Sequence, residues 1–217
     1  MRSSKSDEKI RYLSALFGVS EGEILAVHAS APPRLGLAQL DVLEGQFLRL
    51  LIKLAGVKTI VEVGTCVGFS AICMAQSLPE DGHIYTIEKN SENVALASKN
   101  VENCDLQDKI TVLHGNALSE LKKLGNTSPY DMMFIDADKA SYPLYLDWAE
   151  SNIRKGGVIA ADNVFLFGTI FDDMPKNISQ DAYHGMRAFN QALSDRTKYL
   201  SSVLPYTDGI LVALKIF

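Results

Sequence analysis

Between residues 58 and 162 the chain alternates short apolar, largely β-branched runs with longer segments of helical period. The runs are KTIVEV (58–63), HIYTIE (83–88), KITVL (109–113), YDMMFID (130–136) and GVIAAD (157–162). Their apolar positions are nearly continuous, the mark of strands covered on both faces. Helical stretches open near Phe69, Ser91, Ala117 and Tyr142. Crossovers of that kind make a sheet parallel, so the pattern predicts a doubly wound α/β fold. The last two runs, KYLSSVL (198–204) and GILVALKIF (209–217), are separated only by PYTD. That connection is too short for a parallel crossover, so this pair should be antiparallel. The expected architecture is a seven-stranded, mostly parallel sheet with one antiparallel strand.

Ahead of the sheet, residues 6–17 and 21–29 read as short helices. LDVLEGQFLRLLIKLAG places Leu40, Leu43, Phe47, Leu50, Leu51 and Leu54 at three- and four-residue steps, predicting an amphipathic helix that ends at Gly56. Its apolar face is expected to cover the sheet. No repeat, low-complexity tract or linker divides the chain, so the expectation is one domain over 1–217, with a helical extension (1–56) and an α/β core (57–217).

Composition narrows the picture. At 217 residues, 47% apolar and 22% charged, the chain has ordinary globular proportions. It holds no run approaching the roughly 18 apolar residues of a membrane span. The N-terminus MRSSKSDEKIRYLSALF mixes in charges before any apolar block, which is unlike a secretory signal and points to a cytoplasmic protein. Cys66, Cys73 and Cys104 form no C-x-x-C pair and no disulfide framework. A net charge of −5 argues against a broad nucleic-acid surface.

In an open α/β sheet ligands sit at the carboxyl ends of the strands, so polar clusters there carry the candidate chemistry. In VEVGTCVGFSA the first strand runs into Gly64 and Gly68 and then a helix, whose first N–H groups lack partners within the helix. The spacing is neither a dinucleotide fingerprint, since Cys66 and Phe69 stand where glycines are required, nor a P-loop, since Phe69-Ser70 follows the last glycine. Glu62, two residues before the turn, would repel a pyrophosphate but accept hydrogen bonds from an ammonium group or hydroxyls. Glu88, 24 residues after Gly64, suits the two hydroxyls of an adenosine ribose, a need shared by NAD and S-adenosylmethionine. Asn116 in HGNA can meet an adenine amino group or cap the next helix.

Taken in order, VEVGTCVGFSA, IYTIEKN, HGNA, YDMMFIDADKASY and GGVIAADN resemble the class I S-adenosylmethionine-dependent methyltransferases, which are Rossmann-like. The resemblance is specifically to the cation-dependent O-methyltransferases that include the catechol and caffeoyl-CoA enzymes. It runs from EGQFLRLL near residue 44 to the final DGILVALKIF. It implies S-adenosylmethionine as cofactor, with Glu62, Gly64, Thr65, Ser70, Glu88, Ala117 and Asp138 around it. Asp136 ends the fourth strand, while Asp162 and Asn163 end the fifth. Strand ends roughly 5 Å apart can converge on one cation, and two carboxylates with an amide oxygen suit Mg²⁺, with Ca²⁺ or Mn²⁺ as alternatives. The histidines, His28, His83, His114 and His184, lie at no ligand spacing.

The implied reaction is methylation of a hydroxyl on a small phenolic substrate with vicinal hydroxyls. Lys139 matches the family's lysine, read as base or as electrostatic aid, and Asp136 serves beside it. Tyr142 reads most simply as a packing residue at a helix start. Methylation of a hydroxylated uridine in tRNA stays open as a second acceptor, and a nicotinamide-dependent oxidoreductase as a reading of another class. Residues 164–185 read as a substrate loop, and its Asp172 and Asp173 disfavour an anionic coenzyme A tail. Relatives of this kind are usually homodimers, which implies a partner copy.

Overall fold

The structure, a computed structural model, describes residues 2–33, 39–173 and 175–217. Residues 34–38 of the expected helical extension, and position 174 of the expected substrate loop, lie outside the described residues. The described elements are α1 (Arg2–Phe17), α2 (Gly22–Ala29), α3 (Val42–Ala55), β1 (Thr59–Val63), α4 (Phe69–Ala75), β2 (His83–Glu88), α5 (Ser91–Asn103), β3 (Ile110–His114) and α6 (Ala117–Leu124). There follow β4 (Tyr130–Ile135), α7 (Tyr142–Asn152), β5 (Ile153–Ala161), α8 (Gln180–Leu193), β6 (Tyr199–Leu204) and β7 (Ile210–Lys215).

The strands form a seven-stranded sheet in the order β3-β2-β1-β4-β5-β7-β6. The β1–β4, β2–β3 and β4–β5 pairs are parallel, and β7 runs antiparallel to both β5 and β6. The expected fold class, with its single reversed strand, is therefore observed. By contact density the chain divides into two compact units, residues 1–58 with 65–114 and residues 59–64 with 115–217.

In the first unit, α3 departs from its expected face. Its buried stripe is Glu44, Gly45, Leu48 and Ile52, while Leu50 and Leu54 are 54% and 76% exposed. The reason is a close helix contact: a Cβ on Gly45 would lie 3.0 Å from Cys73 Sγ and 3.1 Å from Phe69 Cζ, both on α4. Only a side chain without bulk lets the two helices approach, so the glycine face turns inward and a leucine face stays out. Asp41 caps α3, accepting from the Leu43 and Glu44 N–H groups, while Glu44 reaches back to the Asp41 N–H. Gly56, at φ 61°, closes the helix where the sequence ends it.

In the second unit the core lies along β1, β4 and β5. Ile60, Val61, Met132, Met133, Phe134, Ile135, Ile159, Ala160 and Ala161 are all buried, as expected for strands covered on both faces. β5 starts four residues before the apolar run that announces it. Its early residues Arg154 and Lys155 are polar, and the register against β4 shifts between Tyr130 and Met132.

Candidate active site

In the first unit, the turn that precedes α4 carries Thr65, Cys66, Val67 and Gly68. Cys66 and Gly68 have left-handed backbones, φ 52° and 88°, and the Gly68 N–H donates to the Thr65 carbonyl at 2.8 Å. The Glu88 carboxylate at the end of β2 holds this turn: Oε2 accepts the Cys66 N–H at 3.0 Å and Oε1 the Asn90 N–H at 2.9 Å. A carboxylate offers about four lone-pair positions, so two hydroxyl donors can still be accommodated. The Thr65 hydroxyl pairs with that of Thr86 at 2.6 Å inside the protein. Ser70 is buried at the second position of α4.

One residue of this region is not legible in the sequence. Asn100 on α5 donates through Nδ2 to the Val67 carbonyl at 2.9 Å and to Ser30 Oγ at 3.0 Å, tying the turn to the end of α2. His28 of α2 hydrogen-bonds through Nε2 with the Leu40 carbonyl at 3.2 Å, a structural role consistent with histidines at no ligand spacing.

In the second unit, Glu62 on β1 is fully buried, opposite Phe134 of β4. Gly64 follows at φ 101°. Asn116 caps α6, its Oδ1 accepting the Ser119 N–H at 3.2 Å, and this sets Ala117 at the first helical position. Of the two roles open to Asn116, the structure places it in the capping one. Asp138 is exposed and accepts the Ser141 hydroxyl.

The polar cluster at the ends of β4 and β5 is built by their register. Ile135 stands opposite Ala161, and the Asp162 N–H donates to the Ile135 carbonyl at 3.0 Å, so Asp136 and Asp162 leave neighbouring strand ends. Asp162 Oδ1 accepts the Asn163 N–H at 2.7 Å, and Asn163 is left-handed at φ 57°. Lys139, on a 3-10 turn (Lys139–Ser141), donates to Asp136 Oδ1 at 3.0 Å and to the Tyr142 hydroxyl at 2.8 Å. Burial alone would push the Lys139 ammonium towards losing its proton. The Tyr142 oxygen and the Asp136 carboxylate outweigh that, and its pKa moves up. Burial, joined by the charges of Asp136 and Asp162, also raises the Tyr142 phenol against the opposing pull of Lys139, so the hydroxyl stays protonated. Among the described residues, no three His, Cys, Asp or Glu side chains gather as a metal cluster. The expected set contains only two carboxylates.

The segment after Asn163 is held by the β6–β7 connection. Leu166, Phe167 and Gly168 are left-handed at φ 53°, 57° and 78°. Asp208 Oδ2 accepts the Phe167 N–H at 2.7 Å and Oδ1 the Gly168 N–H at 3.2 Å. The Phe165 N–H donates to the Asp208 carbonyl at 2.9 Å and that of Val164 to the Gly209 carbonyl at 3.1 Å. Burial raises the Asp208 pKa, opposed by the two N–H groups and by the charge of Lys139. Phe167 and Phe171 are 60% and 74% exposed, and Phe165 stacks at a tilt on Phe171 with centroids 5.5 Å apart. In sequence Asp208 looks like an ordinary turn residue before a glycine, and only the fold brings it to this segment.

The profile of the O-methyltransferase family matches residues 22–216. The chain is 34% identical over 212 residues to the catechol O-methyltransferase of Niastella koreensis, covering 94% of both. It is 33% identical over 201 residues to caffeoyl-CoA O-methyltransferase 1 of Zea mays, covering 89% of this chain and 77% of that one. Among solved structures, the O-methyltransferase TomG of Streptomyces achromogenes, crystallised with S-adenosylmethionine, superposes with a TM-score of 0.89 at 29% identity over 100% of both chains. The fold and these matches define a class, the S-adenosylmethionine-dependent O-methyltransferases. The chain belongs to the O-methyltransferase family. That assignment sets aside the oxidoreductase alternative. Among the described residues, no helix is long and apolar enough to cross a membrane.

Proposed function

We propose that this enzyme methylates one hydroxyl of a small vicinal dihydroxy aromatic with the help of a divalent cation, Mg²⁺ first. The observation that carries the reading is the cluster of Asp136, Lys139, Asp162 and Asn163 at two adjacent strand ends. Its donors fit a hard cation: two carboxylates and an amide oxygen would leave positions for water and substrate. Chelated by both vicinal oxygens, such an ion would lower the pKa of the hydroxyl to be methylated.

S-Adenosylmethionine supplies the methyl group on a sulfonium. Within the first unit the reading gives Thr65, Ser70 and Glu88 to the cofactor, Glu88 through its ribose hydroxyls and Thr65 by shaping the turn. Within the second it gives Glu62, Gly64, Ala117 and Asp138. Lys139 contributes a fixed positive charge beside the phenolate rather than a proton acceptor, because its ammonium already donates to Asp136 and Tyr142. The exposed rings of Phe167 and Phe171 offer an aromatic acceptor a surface to stack on. Exposed Asp172 and Asp173 on the same segment work against a phosphate-rich acceptor, which ranks coenzyme A thioesters and tRNA below a free catechol. A homodimer belongs to the same reading, with the exposed Leu50 and Leu54 of α3 as apolar surface.

The test is a panel of catechols, flavonoids, acyl-CoA thioesters and bulk tRNA, assayed with S-adenosylmethionine and Mg²⁺. Methylation of catechols that falls roughly a hundredfold in Asp162→Ala is the expected result. An Asp162→Ala enzyme with full activity contradicts the cation role, and methylation of tRNA alone contradicts the substrate.

A further inference from the structure

Tyr142 looks in sequence like a packing residue, and its ring does pack, edge-on against Phe189 of α8 with centroids 5.1 Å apart. Its hydroxyl has a different position. The residue is completely buried, yet the hydroxyl accepts from Lys139 Nζ at 2.8 Å and faces two carbonyls, that of Asp162 at 3.0 Å and that of Ile135 at 3.2 Å. A phenol has one proton to give and lone pairs to receive; here the proton lies between the two carbonyls and one lone pair receives the ammonium. Ile135 is the last residue of β4, immediately before Asp136. Asp162 follows the last residue of β5. One buried hydroxyl therefore touches the backbone of both strand ends that carry the proposed cation ligands, and also the lysine beside them.

We infer that Tyr142 is a positioning residue that frees Asp136 for the cation by giving Lys139 a second acceptor, while its own proton pins the end of β5. The inference rests on the cation-dependent reading above. A cation and Lys139 compete for the same carboxylate, because Lys139 donates to Asp136 Oδ1. With its side chain only 11% exposed, Lys139 has little water to turn to, and an ammonium left there without an acceptor is strongly disfavoured. The Tyr142 hydroxyl removes that penalty, since Lys139 keeps a partner whichever way Asp136 is engaged. The bond to the Asp162 carbonyl adds a constraint just ahead of Asn163, whose left-handed backbone directs the third ligand. Phenylalanine at 142 would fill the same space and lack every one of these bonds.

The test compares wild type, Tyr142→Phe, Lys139→Met and the double variant, all full-length. Mn²⁺ binding is titrated in the presence of S-adenosylhomocysteine, and methyl transfer to catechol is measured with Mg²⁺. S-Adenosylhomocysteine affinity, expected to be unchanged, reports that each variant is folded. Tyr142→Phe should weaken Mn²⁺ roughly tenfold, as loss of an outer-shell partner does elsewhere. It should lower kcat by a similar factor with little change in the S-adenosylmethionine KM. Added to Lys139→Met, it should weaken Mn²⁺ by less than about threefold, because the competition it relieves is gone and only the bond to the Asp162 carbonyl remains to be lost. Tyr142→Phe binding Mn²⁺ as wild type does, or a tenfold loss repeated undiminished in the Lys139→Met background, overturns the inference and leaves the cation reading standing. Wild type that binds no Mn²⁺ overturns the cation reading, and this inference with it.

Discussion

A Cβ on Gly64 would lie 1.9 Å from the carbonyl oxygen of Asp136. The residue after β1 lies against the residue after β4, Asp136 of the proposed cation site, whose N–H donates to the Val63 carbonyl at 2.9 Å. Whatever its part in holding a cofactor, a glycine at 64 is required first by the chain's own backbone. Gly64→Ala meets both this overlap and a φ of 101°, which side chains rarely adopt. The expected outcome is a loss of about 3 kcal/mol or more in urea unfolding, or no folded protein. An alanine variant of wild-type stability contradicts this close passage.

Gly185 of α8 plays a similar part under Lys139. A Cβ there would come within 2.8 Å of the Lys139 carbonyl and 2.9 Å of the Ala140 carbonyl. Gly185→Ala should push the 3-10 turn and with it the Lys139 ammonium, lowering kcat roughly tenfold or more, as small misplacements of a reacting group do. Steady-state kinetics on a catechol with Mg²⁺ checks the loss, and a wild-type kcat in Gly185→Ala contradicts it.

Asp208 shapes the aromatic segment without belonging to it. Removing its carboxylate hands the exposed Phe167 and Gly168 N–H groups to water and unties the left-handed segment from the β6–β7 connection. Asp208→Ala should raise the KM for a catechol about tenfold while kcat at saturation changes less, because the rings are displaced and the reacting groups are not. Steady-state kinetics over both substrates checks the split.

Glu150 anchors α7, the helix that begins at Tyr142. Its Oε1 accepts from the Tyr199 hydroxyl at 2.7 Å and from Lys198 Nζ at 3.1 Å. The bond from Tyr199, ahead of the pull of Lys198, lowers its pKa below the usual 4.5, despite an opposing contribution from burial. A carboxyl depressed in the folded state contributes stability above its unfolded pKa, and that contribution disappears as pH falls through the folded value. Thermal unfolding should therefore show a loss below about pH 4.5 that is shallower in Glu150→Gln.

The sheet was readable because nearly continuous apolar strands and helical crossovers leave few topologies open, and the four residues of PYTD forced the reversed strand. The face of α3 was not, since counting leucines cannot anticipate that Gly45 would be the point of close helix contact. For the same reason the sequence does not reveal Asn100, Asp208 and Gly185: each acts on a backbone that is distant in sequence. The position of Asp136, Asp162 and Asn163 after neighbouring strands is legible because the strand runs end at these polar residues, while the hydroxyl of Tyr142 is hidden by a ring that also packs.

If a cation held by Asp136, Asp162 and Asn163 supports methyl transfer to a catechol, as proposed, its removal must stop the reaction. The most direct test measures transfer from S-adenosylmethionine to catechol in enzyme stripped with EDTA, before and after Mg²⁺ is returned in excess. Activity should fall to background and be restored by Mg²⁺ in wild type but not in Asp162→Ala. Undiminished transfer in the presence of EDTA would contradict it.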